Sequence, residues 1–95
     1  MDYLFIRHTV KDAGTWRPAF DDHRPVREAA GLKDLFVCAS QENPNDISIL
    51  FAASDLRKAR ELVYSDEVRE VMKKAGVIGE PEILLLTELP VGVHA

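Results

Sequence analysis

Four segments of the chain are apolar on both faces of the strands they predict, and this pattern limits the folds open to the protein. A sheet that carries helices on one face only should alternate apolar and polar residues along its strands. The segments that break this rule occupy positions 3–6, 35–37, 49–51 and 83–86. Two short helical regions cannot cover both faces of four strands, so the second face needs another cover. The sequence therefore predicts a homodimer through the sheet face, and the tail from Pro90 to Ala95 could cross to the partner.

The order of elements along the chain predicts one α+β domain over residues 1–95. Branched and aromatic residues predict strands at 3–10, 32–40, 47–53 and 82–89, with turns at 41–46 and 79–81. Apolar residues at helical spacing predict a helix that ends before Gly31, a second helix that starts at Ser54 or Asp55, and a short helix capped by Ser65. The resulting order, β-α-β-β-α-β, is that of a ferredoxin-like sandwich.

Two prolines shape the first helix. Thr15 is predicted to cap it, which places Pro18 in the first turn, where the missing N–H is harmless. Pro25 lies in the middle and removes the hydrogen bond to the carbonyl of Asp21. We therefore expect a kink near His23.

The charge balance argues against a nucleic-acid partner. The chain has 12 Lys and Arg against 16 Asp and Glu, a net charge of -4, and the two signs are interspersed. Phosphate contacts need a basic stripe, which is lacking here. The single cysteine, Cys38, cannot form an intrachain disulfide and favours a cytoplasmic protein. The first apolar stretch is too short for a signal peptide or a membrane span, so we expect no membrane association.

Polar side chains interrupt the apolar stripe of the first helix. Trp16, Phe20, His23 and Arg27 are spaced four, three and four residues apart, so they share one helix face. Burying an imidazole and a guanidinium is costly unless a partner, a ligand or water satisfies them. The stripe therefore predicts a cavity between this helix and the sheet.

A second histidine joins this cavity in one of two possible strand registers. If the face with Leu4, Ile6, His8 and Val10 looks toward the helix, His8 shares the cavity with His23; in the other register Arg7 faces the helix and His8 lies in the dimer seam. The first register is favoured because its residues are the more apolar set.

Several short motifs occur along the chain in a distinctive combination. They are Arg7-His8-Thr9-Val10, Trp16, Phe20-Asp21-Asp22-His23 with Arg27 and Gly31, Asn43-Pro44-Asn45-Asp46, and Lys74-Ala75-Gly76-Val77-Ile78-Gly79 with Pro81. In these motifs the chain resembles a small bacterial family of unknown function within the dimeric α/β-barrel superfamily, which includes antibiotic-biosynthesis monooxygenases, small polyketide cyclases and stress-responsive proteins.

The resemblance implies a barrel formed by the sheets of two subunits, with a ligand cavity in each subunit between sheet and helices. His23 and Arg27 fall where this cavity is expected. Haem-degrading members rely on a tryptophan and a histidine outside the first helix, whereas the single tryptophan here, Trp16, lies within it. We therefore expect neither haem nor another cofactor.

The candidate residues suit proton transfer on a small hydrophobic or aromatic molecule that carries an enolic or anionic oxygen. His23 would act as the base, His8 as a second imidazole, and Arg27 would stabilise the oxygen. Such an enzyme would resemble a cyclase or isomerase, with a cofactor-independent monooxygenase as a close variant. The apolar contacts to the ligand would come from Ile6, Trp16 and Phe20.

The same residues also fit a purely structural role. His23 would then hydrogen-bond to a carbonyl, and Arg27 would pair with a carboxylate such as Asp22 or Glu88. The protein would be a non-catalytic ligand-binding or stress-related dimeric module. His8, His23 and Asp22 lack a recognised ligand spacing, so we expect no metal site.

Overall fold

A computed structural model describes residues 1–90 and shows four strands and four helices. The predicted α+β ferredoxin-like class is confirmed. The elements, in chain order, are β1 (Asp2–Val10), α1 (Ala13–Asp22), α2 (Arg24–Ala29), β2 (Leu32–Ala39), β3 (Asp46–Ala53), α3 (Leu56–Val63), α4 (Asp66–Lys74) and β4 (Val77–Thr87). The tail that is predicted to cross to a partner, Pro90 to Ala95, lies outside the described part of the chain except for Pro90.

The strands form one antiparallel sheet in the order β2-β3-β1-β4. The helices cover one face of this sheet, and the core lies between the two layers. Leu4, Ile49 and Phe51 from the central strands are almost completely buried there, together with Ala59 and Val63 from α3. Burying these apolar side chains supplies the main driving force for folding.

The last strand begins earlier than the sequence predicts. It starts at Val77 rather than Glu82 and ends at Thr87 rather than Leu89. Arg7 pairs with Glu82 while Thr9 pairs with Ile78, so the residues between them on β4 form a bulge. The predicted turn at 79–81 is this bulge, since Gly79 has a φ of 70° and none of the three residues has a register partner in β1.

The first helix starts earlier than predicted and is divided in two. Asp12, not Thr15, is its N-cap, and its carboxylate accepts a hydrogen bond from the Thr15 backbone N–H. Pro18 therefore lies inside α1 instead of in its first turn. Pro25 lies in the first turn of α2, where a missing N–H is tolerated, and His23 occupies the junction. The kink expected near His23 is present as a break between the helices.

The face of the sheet opposite the helices carries a row of apolar side chains that has no cover among the described residues. Phe36, Leu50, Phe5 and Leu84 are aligned in one row across β2, β3, β1 and β4. Phe36 is 43% exposed and Leu84 is 45% exposed, which is high for such side chains in strands. No helix within residues 1–90 is long and apolar enough to cross a membrane.

A glycine at the junction of α2 and β2 gives a direct test of this geometry. Gly31 has a φ of 80°, and a Cβ placed there would overlap Ser54 Oγ. Gly79 also has a positive φ, but a Cβ there would meet no atom within 4 Å. We expect Gly79→Ala to lower the free energy of unfolding by about 1–2 kcal/mol from backbone strain, and Gly31→Ala to lower it further.

Urea denaturation of both variants measures the difference. Adding Ser54→Ala to Gly31→Ala should recover the part of the loss that comes from the overlap, while adding it to Gly79→Ala should not recover stability. Equal losses for the two glycine variants would contradict the structure around Gly31.

Candidate functional site

The break between α1 and α2 places His23 at the edge of the core. His23 ends α1, where its backbone N–H donates to the Phe20 carbonyl at 3.2 Å, and the chain then enters α2 through Pro25. The ring of His23, at this break, and the side chain of Arg27, on α2, both line one cavity. The proline thus positions two candidate residues through the backbone.

Arg27 is buried and its guanidinium is held on several sides. Nε and Nη2 donate to the two carboxylate oxygens of Asp34 on β2, at 3.1 and 2.9 Å. Nη1 donates to the backbone carbonyl of Phe20 at 2.6 Å, and the guanidinium carbon lies 3.8 Å from the centre of the Phe20 ring. The ion pair and the cation–π contact compensate the buried charge and tie α1, α2 and β2 together.

This bonding shows which partner the arginine uses. The sequence suggested Asp22 or Glu88 as structural partners, but Asp22 is exposed and Glu88 accepts a hydrogen bond from the Tyr3 hydroxyl at 2.6 Å. Asp34, which also lies 3.5 Å from Arg24, takes that place. The guanidinium is therefore already neutralised by the protein before any ligand arrives.

A cavity of about 70 Å³ lies between the sheet and the four helices. All six residues selected from the sequence line it: Ile6, His8, Trp16, Phe20, His23 and Arg27. The sequence did not assign the wall that α3 and α4 form with Leu62, Val63, Val68, Val71 and Met72. Their only sequence signal is an apolar stripe at helical spacing, which any core-facing helix shows.

His8 is the most unusual group in the cavity. It lies on the helix-facing side of β1, as the favoured register predicts, and is only 6% exposed. Its ring meets Trp16 edge-on, with the ring centres 5.6 Å apart, and Trp16 in turn stacks on Phe20 at 4.8 Å. Neither Nδ1 nor Nε2 of His8 has a hydrogen-bond partner in the described structure.

Burial lowers the pKa of His8 below its ordinary value of 6.5, because an apolar site disfavours the charged ring. The imidazole is therefore neutral at physiological pH, with one nitrogen able to accept a proton. His23 adds a second unsatisfied atom, since its Nε2 is also buried without a partner. Buried polar atoms without partners are rare in proteins, and here three of them belong to side chains that line one cavity.

Residues 1–90 contain no group of three or more His, Cys, Asp or Glu side chains close enough to hold a metal ion together. Cys38 lies away from the cavity and is exposed.

Comparison with known proteins identifies the architecture. No protein-family profile and no curated protein matches the chain. Solved structures do match, and several are provisionally named antibiotic biosynthesis monooxygenases. The protein from Bordetella bronchiseptica has a TM-score of 0.74 at 13% identity, covering 94% of this chain and 97% of its own. The shared property is the fold.

Two further structures with such names support the same assignment. The protein from Caulobacter crescentus CB15 has a TM-score of 0.70 at 14% identity and covers 94% of this chain and 90% of its own. The protein from Nitrosomonas europaea has a TM-score of 0.67 at 14% identity and covers 95% of this chain and 100% of its own. The ferredoxin-like fold of these proteins thus extends over almost the whole chain.

The lowered pKa of His8 predicts a pH dependence of stability. Below about pH 6.5 the unfolded chain binds a proton at His8 that the folded chain resists, so the free energy of unfolding should fall as the pH is lowered. His8→Gln removes this contribution and should flatten the slope between about pH 7 and pH 5. Asp12 and Asp46 also have lowered pKa values. Their stabilising contribution is lost only as the pH falls near or below their ordinary value of 3.8, so they do not affect the slope between pH 7 and pH 5.

Urea unfolding at a series of pH values measures the slope for the wild-type protein and the variant. Identical slopes would contradict a buried, neutral His8, whatever the absolute stability of the variant.

Proposed function

We propose that this protein is a small cofactor-free enzyme that transfers a proton on a hydrophobic, oxygenated metabolite. The observation that carries this proposal is the pair of imidazoles with unsatisfied, buried nitrogens in a cavity whose other lining side chains are apolar, apart from Arg27, which is paired with Asp34. A ligand with a C–H acid beside a carbonyl or similar group would satisfy these nitrogens. It would leave the apolar walls in contact with its carbon skeleton.

The bonding in the cavity supports a division of roles. A neutral His8 with a free nitrogen is suited to act as general base, because its lowered pKa lets it remain unprotonated near pH 7. Nε2 of His23 can then hydrogen-bond to the oxygen on which negative charge develops. Arg27 contributes mainly by holding the cavity in shape, because Asp34 already occupies its donors. These roles differ from the sequence-based hypothesis, in which His23 was the base.

The names of the structural neighbours suggest one variant of this chemistry. A cofactor-independent monooxygenation, with dioxygen as the co-substrate, would begin when an imidazole removes the O–H proton of an enol or phenol and leaves an electron-rich anion. The neighbours named antibiotic biosynthesis monooxygenases have this fold at low sequence identity. The cyclase, isomerase and monooxygenase variants therefore all begin with transfer of a proton to an imidazole, from carbon in the first two and from oxygen in the third.

A second candidate function is binding of a small molecule without catalysis. It is favoured by the size of the cavity, since about 70 Å³ is less than half of the roughly 150 Å³ that admits benzene in an engineered apolar cavity. A compact molecule or a group of water molecules would fill this space. Catalysed proton exchange distinguishes the two candidates.

Nitromethane is a carbon acid compact enough for the cavity, and its exchange with deuterium in D₂O can be followed by NMR. We expect the wild-type protein to accelerate this exchange and His8→Gln to remove about 99% of the acceleration, in keeping with a contribution of about 10²-fold from a general base. His23→Gln should cause a smaller loss, and the exposed variant Lys74→Gln should match the wild type. No acceleration by the wild type, or equal rates for wild type and His8→Gln, would contradict the proposal.

We also propose that the protein works as a homodimer joined through the open sheet faces. The row of Phe36, Leu50, Phe5 and Leu84 has no other cover among residues 1–90, and both faces of the sheet are rich in apolar side chains. Pairing two such faces would bury the exposed apolar area and close a barrel.

Size-exclusion chromatography with light scattering tests this association. The wild-type protein should have twice the mass of one chain, and Leu84→Glu should be monomeric at the same concentration because a carboxylate would be buried in the interface. Tyr64→Glu, a similar change on the helical side, should remain dimeric. A wild-type monomer, or a dimer that Leu84→Glu leaves intact, would rule out this interface.

A further inference from the structure

A second depression adjoins the imidazole cavity and is much larger. It is a groove of about 450 Å³ between the α3–α4 pair and β4. Val63 of α3 and Met72 of α4 line both the groove and the cavity. Because both spaces share these two side chains, we take Val63 and Met72 as the partition between the cavity, beside His8 and His23, and the groove.

Met72, one of the two side chains of the partition, can change its conformation. Val63 is buried, whereas Met72 is only half-buried and has a long unbranched side chain. Methionine adapts its shape at low cost, so a rotation of Met72 would connect the two spaces. Ligand sites commonly occupy about 300–1,000 Å³, a range that includes the groove but not the cavity.

Basic side chains outnumber acidic ones in the groove. Arg69 and Lys73 lie one turn apart on α4 and both line the groove, and Glu80 on β4 is the only acidic residue among its lining residues. Within residues 1–90, neither Arg69 nor Lys73 has a carboxylate within 4.0 Å. The remaining walls include apolar side chains from β4, among them Val77 and Ile83. The groove thus offers apolar surface and an excess of positive charge.

We propose that the substrate is an elongated amphipathic anion whose oxygenated head enters the cavity past Met72 and whose apolar body lies in the groove. Its anionic group, a carboxylate or a phosphate, contacts Arg69 and Lys73 on α4. This inference rests on the proposed function, because it assigns the reacting end of the molecule to His8 and His23. It also explains how a cavity smaller than a benzene site serves a substrate of metabolite size.

A series of ω-nitroalkanoates tests the inference, because each member carries a compact carbon-acid head and a carboxylate separated by progressively longer methylene chains. Fluorescence of Trp16, the only tryptophan and a cavity-lining residue, reports binding of the head. We expect the long members to bind about fivefold more tightly than their uncharged methyl esters, and the shortest members to show no such advantage.

Substitutions of charged residues inside and outside the groove test which side chains bind the carboxylate. The double variant Arg69→Gln and Lys73→Gln should lose the preference for the carboxylate over the ester, and Glu80→Gln should increase it. Lys74→Gln removes one positive charge from the same helix outside the groove and should keep the wild-type preference. A Met72→Ala variant should bind the long members faster, because it opens the partition.

Two outcomes would overturn the inference: equal affinities of the long carboxylates and esters for the wild type, or a carboxylate preference that survives in the double variant. The proposed function has a separate test in the exchange of nitromethane, which has no tail to reach the groove. If nitromethane exchange depends on His8 but long carboxylates bind no better than their esters, only the proposed role of the groove is rejected. A carboxylate preference without catalysed exchange would reject only the proton transfer.

Discussion

The contact between Arg27, Asp34 and Phe20 is the constraint on which the site depends. One guanidinium binds a carboxylate on β2 and a backbone carbonyl at the end of α1, and it lies against an aromatic ring. Such a pair contributes little net stability compared with apolar packing, but removing Asp34 would cost about 3–5 kcal/mol because the charge of Arg27 would be left buried. The pair therefore fixes where the broken helix lies on the sheet.

The buried polar groups of the cavity fall into two classes, those with a hydrogen-bond partner in the protein and those without one. The protein neutralises its buried guanidinium internally, whereas it leaves both nitrogens of His8 and one of His23 without partners. Each such atom costs about 1–3 kcal/mol if nothing binds it. A core that needed only stability would replace these rings with apolar side chains of similar volume. This is the reason for our proposal that ligand atoms complete the hydrogen bonds of the cavity.

Local chemistry made much of the fold and part of the site predictable from sequence. Pro25 restricts the backbone wherever it occurs, so the break near His23 followed from one residue. The apolar set Leu4, Ile6 and Val10 fixed the face on which His8 lies. By contrast, the start of β4 was missed because Gly79 and Pro81 have turn chemistry, which an edge strand accommodates in a bulge.

The parts of the site that sequence could not supply depend on contacts between distant elements. Asp34 became the partner of Arg27 because β2 passes beside α2 after Gly31, and no spacing rule distinguishes it from Asp22 or Glu88. Likewise, the α4 wall of the cavity and its link to the groove through Met72 arise from packing of two helices on the sheet. An amphipathic stripe predicts that a helix is buried but not what it encloses.

Nitrogen-15 NMR of the histidine rings can decide whether the cavity holds a neutral His8 that a ligand reaches, because ring shifts report the protonation and hydrogen bonding of each nitrogen. We expect His8 to be neutral at about pH 7 and its ring shifts to move when nitromethane is added, together with those of His23. A ring of His8 that is protonated at that pH, or that is unaffected by saturating nitromethane, would contradict the proposed site.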